Sequence, residues 1–334
     1  MFMLLWLGFI ACTAVIVYSG TKLSKFGDII AEKTGLGRTW VGVVLMAGVT
    51  SLPELVTGIS AVTYAGVPDI AVGDVLGSCV FNLLILAFLD ALHRPAPISS
   101  RAHQGQILSA SLGALLLSVV AMSLFLSPYI YPIGWIGPYS LINALLYFLA
   151  IRIVYFYEKK RIADFVKEIA AGLRYKDISA KTAAYSYTAS ALLVVVAASF
   201  LPKIGEGIAE TTGLGQTFVG NIFIAVSTSL PEIVVSIAAV KMGAVDMAIG
   251  NLFGSNIFNI FILALDDFFF VKGPILSHVN PSHIVPALSA VSMTAIAIAG
   301  ITYRSERKRL FMSWDSIAIA IVYFANMLVL YTIR

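Results

Sequence analysis

The segment AGVTSLPE at residues 47–54 recurs as AVSTSLPE at residues 225–232, and the chain repeats itself around both copies. Residues 34–62 match residues 212–240 with 17 identities in 29 positions, and residues 69–90 match residues 246–267 with 11 identities in 22. The chain therefore contains two related halves. Proline has no amide hydrogen and its ring clashes with the preceding helical turn, so Pro53 and Pro231 predict a broken helix at the same place in each half.

The composition is typical of a membrane protein. Of the 334 residues, 59% are hydrophobic and 12% are charged, whereas soluble domains carry about 25% charged residues. This disfavours a soluble enzyme, a disordered protein and a nucleic-acid-binding protein, and two cysteines are too few for a disulfide framework or a cysteine-rich zinc site. Because a membrane-spanning helix needs about 20 apolar residues, the apolar runs predict ten transmembrane helices, at residues 3–20, 38–63, 69–90, 105–126, 138–157, 184–201, 216–241, 246–265, 283–302 and 314–332.

The positions of lysine and arginine predict the orientation of these helices. Alternate loops hold 19 of the 22 basic residues, and the positive-inside rule places those loops in the cytoplasm. A multi-pass protein of the plasma membrane with both termini outside is therefore expected. We expect a first five-helix repeat at residues 1–157, a cytoplasmic linker with one short helix at 158–183, and a second repeat at 184–334. Because five is odd, the second repeat enters from the opposite side, and such inverted repeats are typical of transporters with a site near the bilayer midplane.

Glu54 and Glu232 are the strongest candidates for a cation site, because a carboxylate in the middle of a bilayer is costly and usually functional. The broken helices free carbonyl groups beside them, and calcium binds carboxylate and carbonyl oxygens. Their neighbours occupy equal positions in the two motifs, namely Ala47, Thr50 and Ser51 in the first and Ala225, Thr228 and Ser229 in the second. Residues three, four or seven apart share or flank one helix face. The alternative is that each glutamate only caps a broken helix or forms a hydrogen bond with a neighbouring serine.

A second polar motif follows each glutamate in the next helix, as GSCVFN at residues 77–82 and GSNIFN at residues 254–259. Ser78 and Asn82 are four residues apart and share a helix face, as do Ser255 and Asn259. The glycines permit close helix approach, so these side chains are expected near the broken helices, although hydrogen bonding between helices would also account for them. Asp74, one turn before Ser78, is an accessory candidate on the cation pathway, with a purely structural hydrogen bond as the alternative.

The remaining acidic residues of the apolar runs are expected to have structural roles. Asp69 and Asp246 precede long apolar stretches and are predicted to cap the N-termini of their own helices. Asp90, Asp266 and Asp267 come at the ends of apolar runs and are predicted to lie at the membrane interface.

The two motifs resemble the alpha-repeats of the sodium/calcium exchanger family, within the cation/calcium antiporter superfamily, and specifically those of its compact prokaryotic members. The resemblance is most specific at residues 47–82 and 225–259 and extends over the ten-helix plan. It implies that Glu54, Glu232 and the carbonyls of Thr50 and Thr228 coordinate calcium. It further implies that sodium ligands come from Ala47, Ala225, Ser51, Ser229, Ser78, Ser255, Asn82 and Asn259, and that the first and sixth helices slide to alternate access.

The chain departs from the family pattern at several positions. Asn259 stands where members often have aspartate, Val49 and Ser227 stand where glycine is usual, and Asp74 and Cys79 replace the usual asparagines. Compared with the family pattern, the site loses one carboxylate at Asn259 and gains another at Asp74. These changes affect which ion is exchanged for calcium, or how many.

Exchange of Na⁺ for Ca²⁺ is therefore the expected function, and exchange of Ca²⁺ or another divalent cation for H⁺ by the same architecture is the alternative. A channel is disfavoured by the inverted repeat, and an intramembrane enzyme by the lack of HExxH, GxSxG and phosphate-loop motifs. No cofactor, catalytic residue or nucleic acid is expected. The partners are the transported cations and the lipid bilayer. The sequence is compatible with a monomer.

Overall fold

The computed structural model describes residues 2–34, 48, 50–94, 96–166, 178–241, 245–305, 308 and 311–333. In these ranges the chain is helical with short connections. The main helices are α1 (Phe2–Thr34), α2 (Leu52–Ser60), α3 (Pro68–Leu92), α4 (Gly105–Leu126), α5 (Pro138–Val166), α6 (Ala180–Thr212), α7 (Gln216–Val219), α8 (Ala225–Thr228), α9 (Leu230–Lys241), α10 (Val245–Phe269), α11 (Ile284–Tyr303) and α12 (Trp314–Thr332). Two π-helical turns interrupt them, Ala61–Ala65 after α2 and Gly220–Ile224 between α7 and α8.

Within the described residues, eight helices are long and apolar enough to cross a membrane. A ninth span is the bent pair Gln216–Thr228 and Leu230–Lys241, whose two parts meet at 44°. The remaining expected span, residues 38–63, is described only at residue 48 and from residue 50 onward, so the count of ten stays a prediction.

The helices α1 and α6 are longer than the apolar runs that predicted them, with 33 residues each. The apolar run marks only the part suited to the hydrocarbon layer, and the helix continues into the polar residues beyond it. Likewise, α5 extends to Val166 and α6 begins at Ala180. The described part of the linker therefore extends these two helices, and residues 167–177 lie outside the described ranges.

The two central helices of the fold are α3 and α10, which pack against each other and are the most buried of the spans. The interrupted segments pack on them, with α2, α8 and the turn Gly220–Ile224 against α3, and α2 and α9 against α10. Helices α4, α5, α11 and α12 enclose one flank, while α1 and α6 pack mainly against each other on the other. This arrangement places the polar motifs of both halves in the centre.

Two aspartates at the starts of the central helices bind distant loops. The carboxylate of Asp69 accepts a hydrogen bond from the backbone amide of Asn280 at 2.7 Å, and Asp246 accepts one from the amide of His103, also at 2.7 Å. The prediction that these aspartates cap their own helices was therefore wrong. Their side chains instead accept hydrogen bonds from loops that are distant in sequence and come near only in the folded chain. Each contact in one half has a counterpart 177 positions away in the other.

Two aspartates near the other ends of these helices form a second matched pair. Asp90 accepts a hydrogen bond from the amide of Ile98 at 2.7 Å, and Asp267 accepts one from the amide of Ile275 at 2.6 Å. The second carboxylate oxygen of Asp90 binds the amide and hydroxyl of Ser313 before α12, and that of Asp267 binds the start of α5. Both side chains are fully buried. Both residues lie near the helix ends, as the sequence predicts, but their side chains are enclosed by protein, where backbone donors from neighbouring connections satisfy the carboxylates.

Candidate cation site

The interruption of the helices places both glutamates in the first turn of a new helix. In the second half, α8 ends at Thr228 and α9 begins at Leu230, which confirms the break predicted from Pro231. In the first half, α2 begins at Leu52. Glu54 and Glu232 are the acidic residues of the first turns of α2 and α9. The partial positive charge of a helix N-terminus favours an anionic group at that position.

The candidate side chains are buried in the centre of the fold. Glu54, Glu232 and the neighbouring residues Thr50, Ser51, Thr228 and Ser229 have no solvent exposure. Ala225 is also fully buried. So are the candidates on the central helices, namely Ser78, Asn82, Asp74, Ser255 and Asn259. Ala47, also predicted as a ligand, lies outside the described residues.

The serine of each motif contacts the glutamate of the other. Ser229 Oγ donates a hydrogen bond to Glu54 Oε1 at 2.9 Å, and Ser51 Oγ donates one to Glu232 Oε1 at 3.2 Å. Ser78 Oγ of α3 lies 2.9 Å from Ser229 Oγ and 3.4 Å from Glu54 Oε1. The structure thus brings the two motifs, 178 positions apart in sequence, into one polar cluster.

Several oxygens of this cluster have no hydrogen-bond partner among the described residues. They include the Oε2 atoms of both glutamates, Ser255 Oγ and the side-chain oxygens of Asn82 and Asn259. A buried carboxylate without full compensation is costly, and a cation is one way to offset that cost. Among the described residues, no three His, Cys, Asp or Glu side chains are arranged to hold a metal ion. A cation between Glu54 and Glu232 would therefore draw its other ligands from hydroxyl, amide and backbone oxygens.

Asp74 connects the central helix α3 to the break in the other half. Its Oδ1 accepts a hydrogen bond from Thr228 Oγ1 at 2.8 Å, and its Oδ2 has no partner among the described residues. The equivalent residue of the second half is Asn251, which instead donates to Ser236 Oγ at 3.3 Å. The first half therefore supplies a buried carboxylate, Asp74, next to Thr228, whereas the second half has an amide group at the equivalent position.

Asn256 is a residue of the site region that the sequence did not single out. Its side chain accepts a hydrogen bond from Asn82 Nδ2 at 2.9 Å and donates one to the carbonyl of Cys79 at 3.1 Å. These two hydrogen bonds join α3 to α10 beside the glutamates. The side-chain nitrogen of Asn82 is therefore engaged in holding the two central helices together. The sequence did carry a signal for this residue, because the position that is Cys79 in the first half is the polar Asn256 in the second.

Asp266 is the second residue that sequence reasoning misplaced. Its side chain is fully buried, and neither carboxylate oxygen has a partner among the described residues. It packs over Gly58, where an added Cβ would lie 2.5 Å from each carboxylate oxygen. Asp266 follows Asn259 by seven residues and therefore shares its helix face, which was the signal that it points inward rather than toward the interface.

Close backbone contact lets α3 reach the broken span. A Cβ added at Gly77 would lie 2.6 Å from Asn221 Cα and 2.7 Å from Ala225 Cβ, and one at Gly73 would lie 3.0 Å from Gly220 Cα. A side chain at either position would separate the helices. These glycines therefore set the distance across which Ser78 meets Ser229.

Comparison with known proteins identifies the family. A sequence profile described as sodium/calcium exchanger protein matches residues 4–156 and 183–332. The chain belongs to this family. The exchanger is 31% identical over 252 residues to the inner membrane protein YrbG of Escherichia coli (strain K12), covering 75% of this chain and 74% of that protein. It is 26% identical over 367 aligned positions to the sodium/calcium exchanger MaX1 of Methanosarcina acetivorans, covering 99% of each.

Solved structures show the same fold. The sodium-calcium exchanger NCX_Mj, soaked with Na⁺ and Sr²⁺, superposes with a TM-score of 0.63 over 98% of this chain and 99% of that chain, at 22% identity. The exchanger therefore has the same helical membrane fold as this structure, and its family membership makes it an antiporter, as its motifs predicted.

Proposed function

We propose that this exchanger lets Na⁺ enter in exchange for Ca²⁺, by alternating access to one site shared by Glu54 and Glu232. The observation that carries the proposal is the crossed pair of contacts, in which Ser229 binds Glu54 and Ser51 binds Glu232. Two glutamates held in one buried cluster by each other's motif can act on the same ion.

The chemistry of this site suits a divalent cation. Ca²⁺ takes six to eight oxygen ligands, and two carboxylates would neutralise its charge within an apolar surrounding. The proposed ligands of Ca²⁺ are Glu54, Glu232 and the carbonyls of Thr50 and Thr228. The proposed additional ligands of Na⁺ are Ala47, Ala225, Ser51, Ser229, Ser78, Ser255, Asn82 and Asn259.

Competition for the two glutamates would couple the two fluxes. Ca²⁺ and Na⁺ would use the same carboxylates and therefore exclude each other. A site that carried two uncompensated charges would be costly to move through an apolar barrier. This cost discourages a return step without an ion and so favours exchange over leak.

We propose an architecture of ten helices in two inverted repeats, residues 1–157 and 184–334, joined by a cytoplasmic linker at 158–183. The matched contacts of Asp69 with Asn280 and of Asp246 with His103 support this pairing of the halves. The charge pattern supports a plasma-membrane protein with both termini outside. The peripheral helices α1 and α6, which pack mainly on each other, are the elements proposed to move.

Exchange of Ca²⁺ for H⁺ is a second candidate because of one feature of the site. Asp74 adds a third buried carboxylate in contact with Thr228, and Asn259 carries an amide rather than a carboxyl group. The site could then bind a proton where other members bind an additional cation.

Calcium flux in proteoliposomes tests the proposal and separates the candidates. We expect radiolabelled Ca²⁺ uptake to follow an outward Na⁺ gradient at fixed pH and to be absent under a pH gradient without Na⁺. Glu54→Gln should abolish uptake. Glu206→Gln, which removes a partly exposed carboxylate paired with Lys203, serves as the matched control and should transport normally. Uptake driven only by the pH gradient would favour the second candidate, and sodium-driven uptake that survives Glu54→Gln would contradict the site.

A further inference from the structure

A buried histidine lies between the start of a central helix and the bent span. His283, just before α11, has no solvent exposure. Its Nε2 lies 3.0 Å from Asp69 Oδ1, and its Nδ1 lies 3.4 Å from Asn221 Nδ2. Asn221 belongs to the π-helical turn Gly220–Ile224, and its Nδ2 also donates to the carbonyl of Thr217 at 2.9 Å.

The partners of His283 define the tautomer of its neutral ring. Asp69 offers only acceptor oxygens, so the ring proton lies on Nε2, and Nδ1 accepts from the amide group of Asn221. A second proton on Nδ1 would place two donors opposite each other. The acceptor available nearby is Asn221 Oδ1, which has no partner among the described residues. Rotation of the Asn221 amide would present Oδ1 to the ring and remove Nδ2 from the carbonyl of Thr217.

The turn that contains Asn221 contacts both the site helix and α1. Phe223 of this turn packs edge-on against Trp6, with 5.3 Å between ring centroids. On its other side, the backbone of the turn lies against Gly73 and Gly77 of α3, close in sequence to Asp74 and Ser78. A change in the hydrogen bonding of this turn would therefore act on the bent span that ends at Thr228.

Few other ionisable groups face His283. Helix α3 contributes Asp69 and, further along, Asp74, which is bound to Thr228. Among the described residues of α4, α7 and the turn Gly220–Ile224 there is no ionisable side chain. Helix α12 contributes Tyr331, whose ring packs on Phe218. Asp69 is therefore the ionisable group in direct contact with the ring.

The opposite end of the fold has no equivalent titratable group. The residue 177 positions before His283 is Gln106, whose Nε2 donates to the carbonyl of Asp246 at 3.0 Å. A histidine ring can take up a proton, whereas a glutamine side chain cannot. A response to protons through this contact would therefore exist on one face of the membrane only.

We propose that His283 is a positioning residue that makes exchange sensitive to pH on one face of the membrane. Its protonation would break the contact between Asn221 and Thr217 and so shift the π-helical turn beside the site. The face is extracellular in the orientation given by the positive-inside rule. The transport readout rests on the proposed function, whereas the position of the turn does not.

Transport in oriented membrane vesicles tests the proposal. Lowering the external pH from about 8 to about 5.5 should slow sodium-driven Ca²⁺ uptake by at least about threefold in right-side-out vesicles. The same step should leave inside-out vesicles much less affected. His283→Gln and Asn221→Ala should both remove the response, whereas His103→Gln, the control at the opposite end, should keep it. An unchanged response in His283→Gln would overturn the proposal.

Fluorescence of Trp6 gives a readout that does not depend on transport. In a variant whose other three tryptophans are replaced by phenylalanine, Trp6 reports on its contact with Phe223. We expect its emission to change with pH when His283 is present and to stay constant in His283→Gln. A change that is identical in both would overturn the proposal. Absence of any sodium-driven flux alongside a His283-dependent emission change would instead count against the proposed function alone.

Discussion

Gly77→Ala should separate α3 from the bent span and damage the site more than it damages the fold. The new Cβ would lie 2.6 Å from Asn221 Cα and 2.7 Å from Ala225 Cβ, whereas ordinary van der Waals contact begins at 3.4 Å. A backbone atom and an alanine methyl group cannot rotate away. The two segments would therefore have to move apart by at least about 0.8 Å, the difference between 3.4 and 2.6 Å, because the backbone oxygen of Asn221 lies closer still.

The size of the effect follows from that displacement. A gap of about 0.5–1 Å removes a quarter to a half of each van der Waals contact, and overpacking usually costs about 1–3 kcal/mol. We expect a loss of about that size in the free energy of unfolding. The hydrogen bond of 2.9 Å between Ser78 and Ser229 would be stretched beyond hydrogen-bonding range. Calcium transport should therefore fall by at least about tenfold, since small misplacements of a binding group have large effects.

Thermal unfolding of the purified protein and Ca²⁺ flux at equal protein density measure the two effects. Gly113→Ala in α4 is the matched control, because its Cβ would meet only Ile257 at 3.6 Å and alanine favours a helix more than glycine does. The reasoning would be refuted if Gly77→Ala matched Gly113→Ala in both unfolding temperature and transport.

Three further predictions concern the polar network. Ser51→Ala and Ser229→Ala should each weaken Ca²⁺ binding by about tenfold, because each removes a hydroxyl bound to a carboxylate. Binding titrations would show it, and an effect of only one of the two would contradict the crossed arrangement. Asp90→Asn and Asp267→Asn should each lower the free energy of unfolding by about 1.5–3 kcal/mol through weakened charged hydrogen bonds, as denaturation in detergent would measure, whereas no loss in either would contradict their role in fixing helix ends. Asp74→Asn should alter the pH and ion dependence of transport, and unchanged flux profiles would remove the case for proton exchange.

Sequence reasoning located the site but not its internal contacts. Pro231 and the charge of Glu232 predicted a broken span with a buried acid, because both effects are local to one helix. Helical spacing showed which residues share a face, yet the partner across that face depends on how the two halves interlock. The crossed contacts of Ser51 and Ser229 could therefore be read only from the structure.

The same limit explains the errors about the aspartates. Asp69 and Asp246 have the local pattern of helix caps, but the folded chain offers them amide groups from distant loops. Asp266 was placed at the interface because it ends an apolar run, although its spacing from Asn259 places it on the inner face. Hydropathy locates the hydrocarbon layer along the chain. It does not tell which side of a central helix remains enclosed by protein.

Equilibrium binding of radiolabelled Ca²⁺ to the purified exchanger tests the shared site most directly. If Glu54 and Glu232 act on the same ion, the parent protein should bind Ca²⁺ at this site with one ion per chain. Either Glu54→Gln or Glu232→Gln alone should then abolish that binding, and the double variant should be no worse than the single ones. Retention of full-affinity binding in either single variant would show that the two carboxylates serve separate ions.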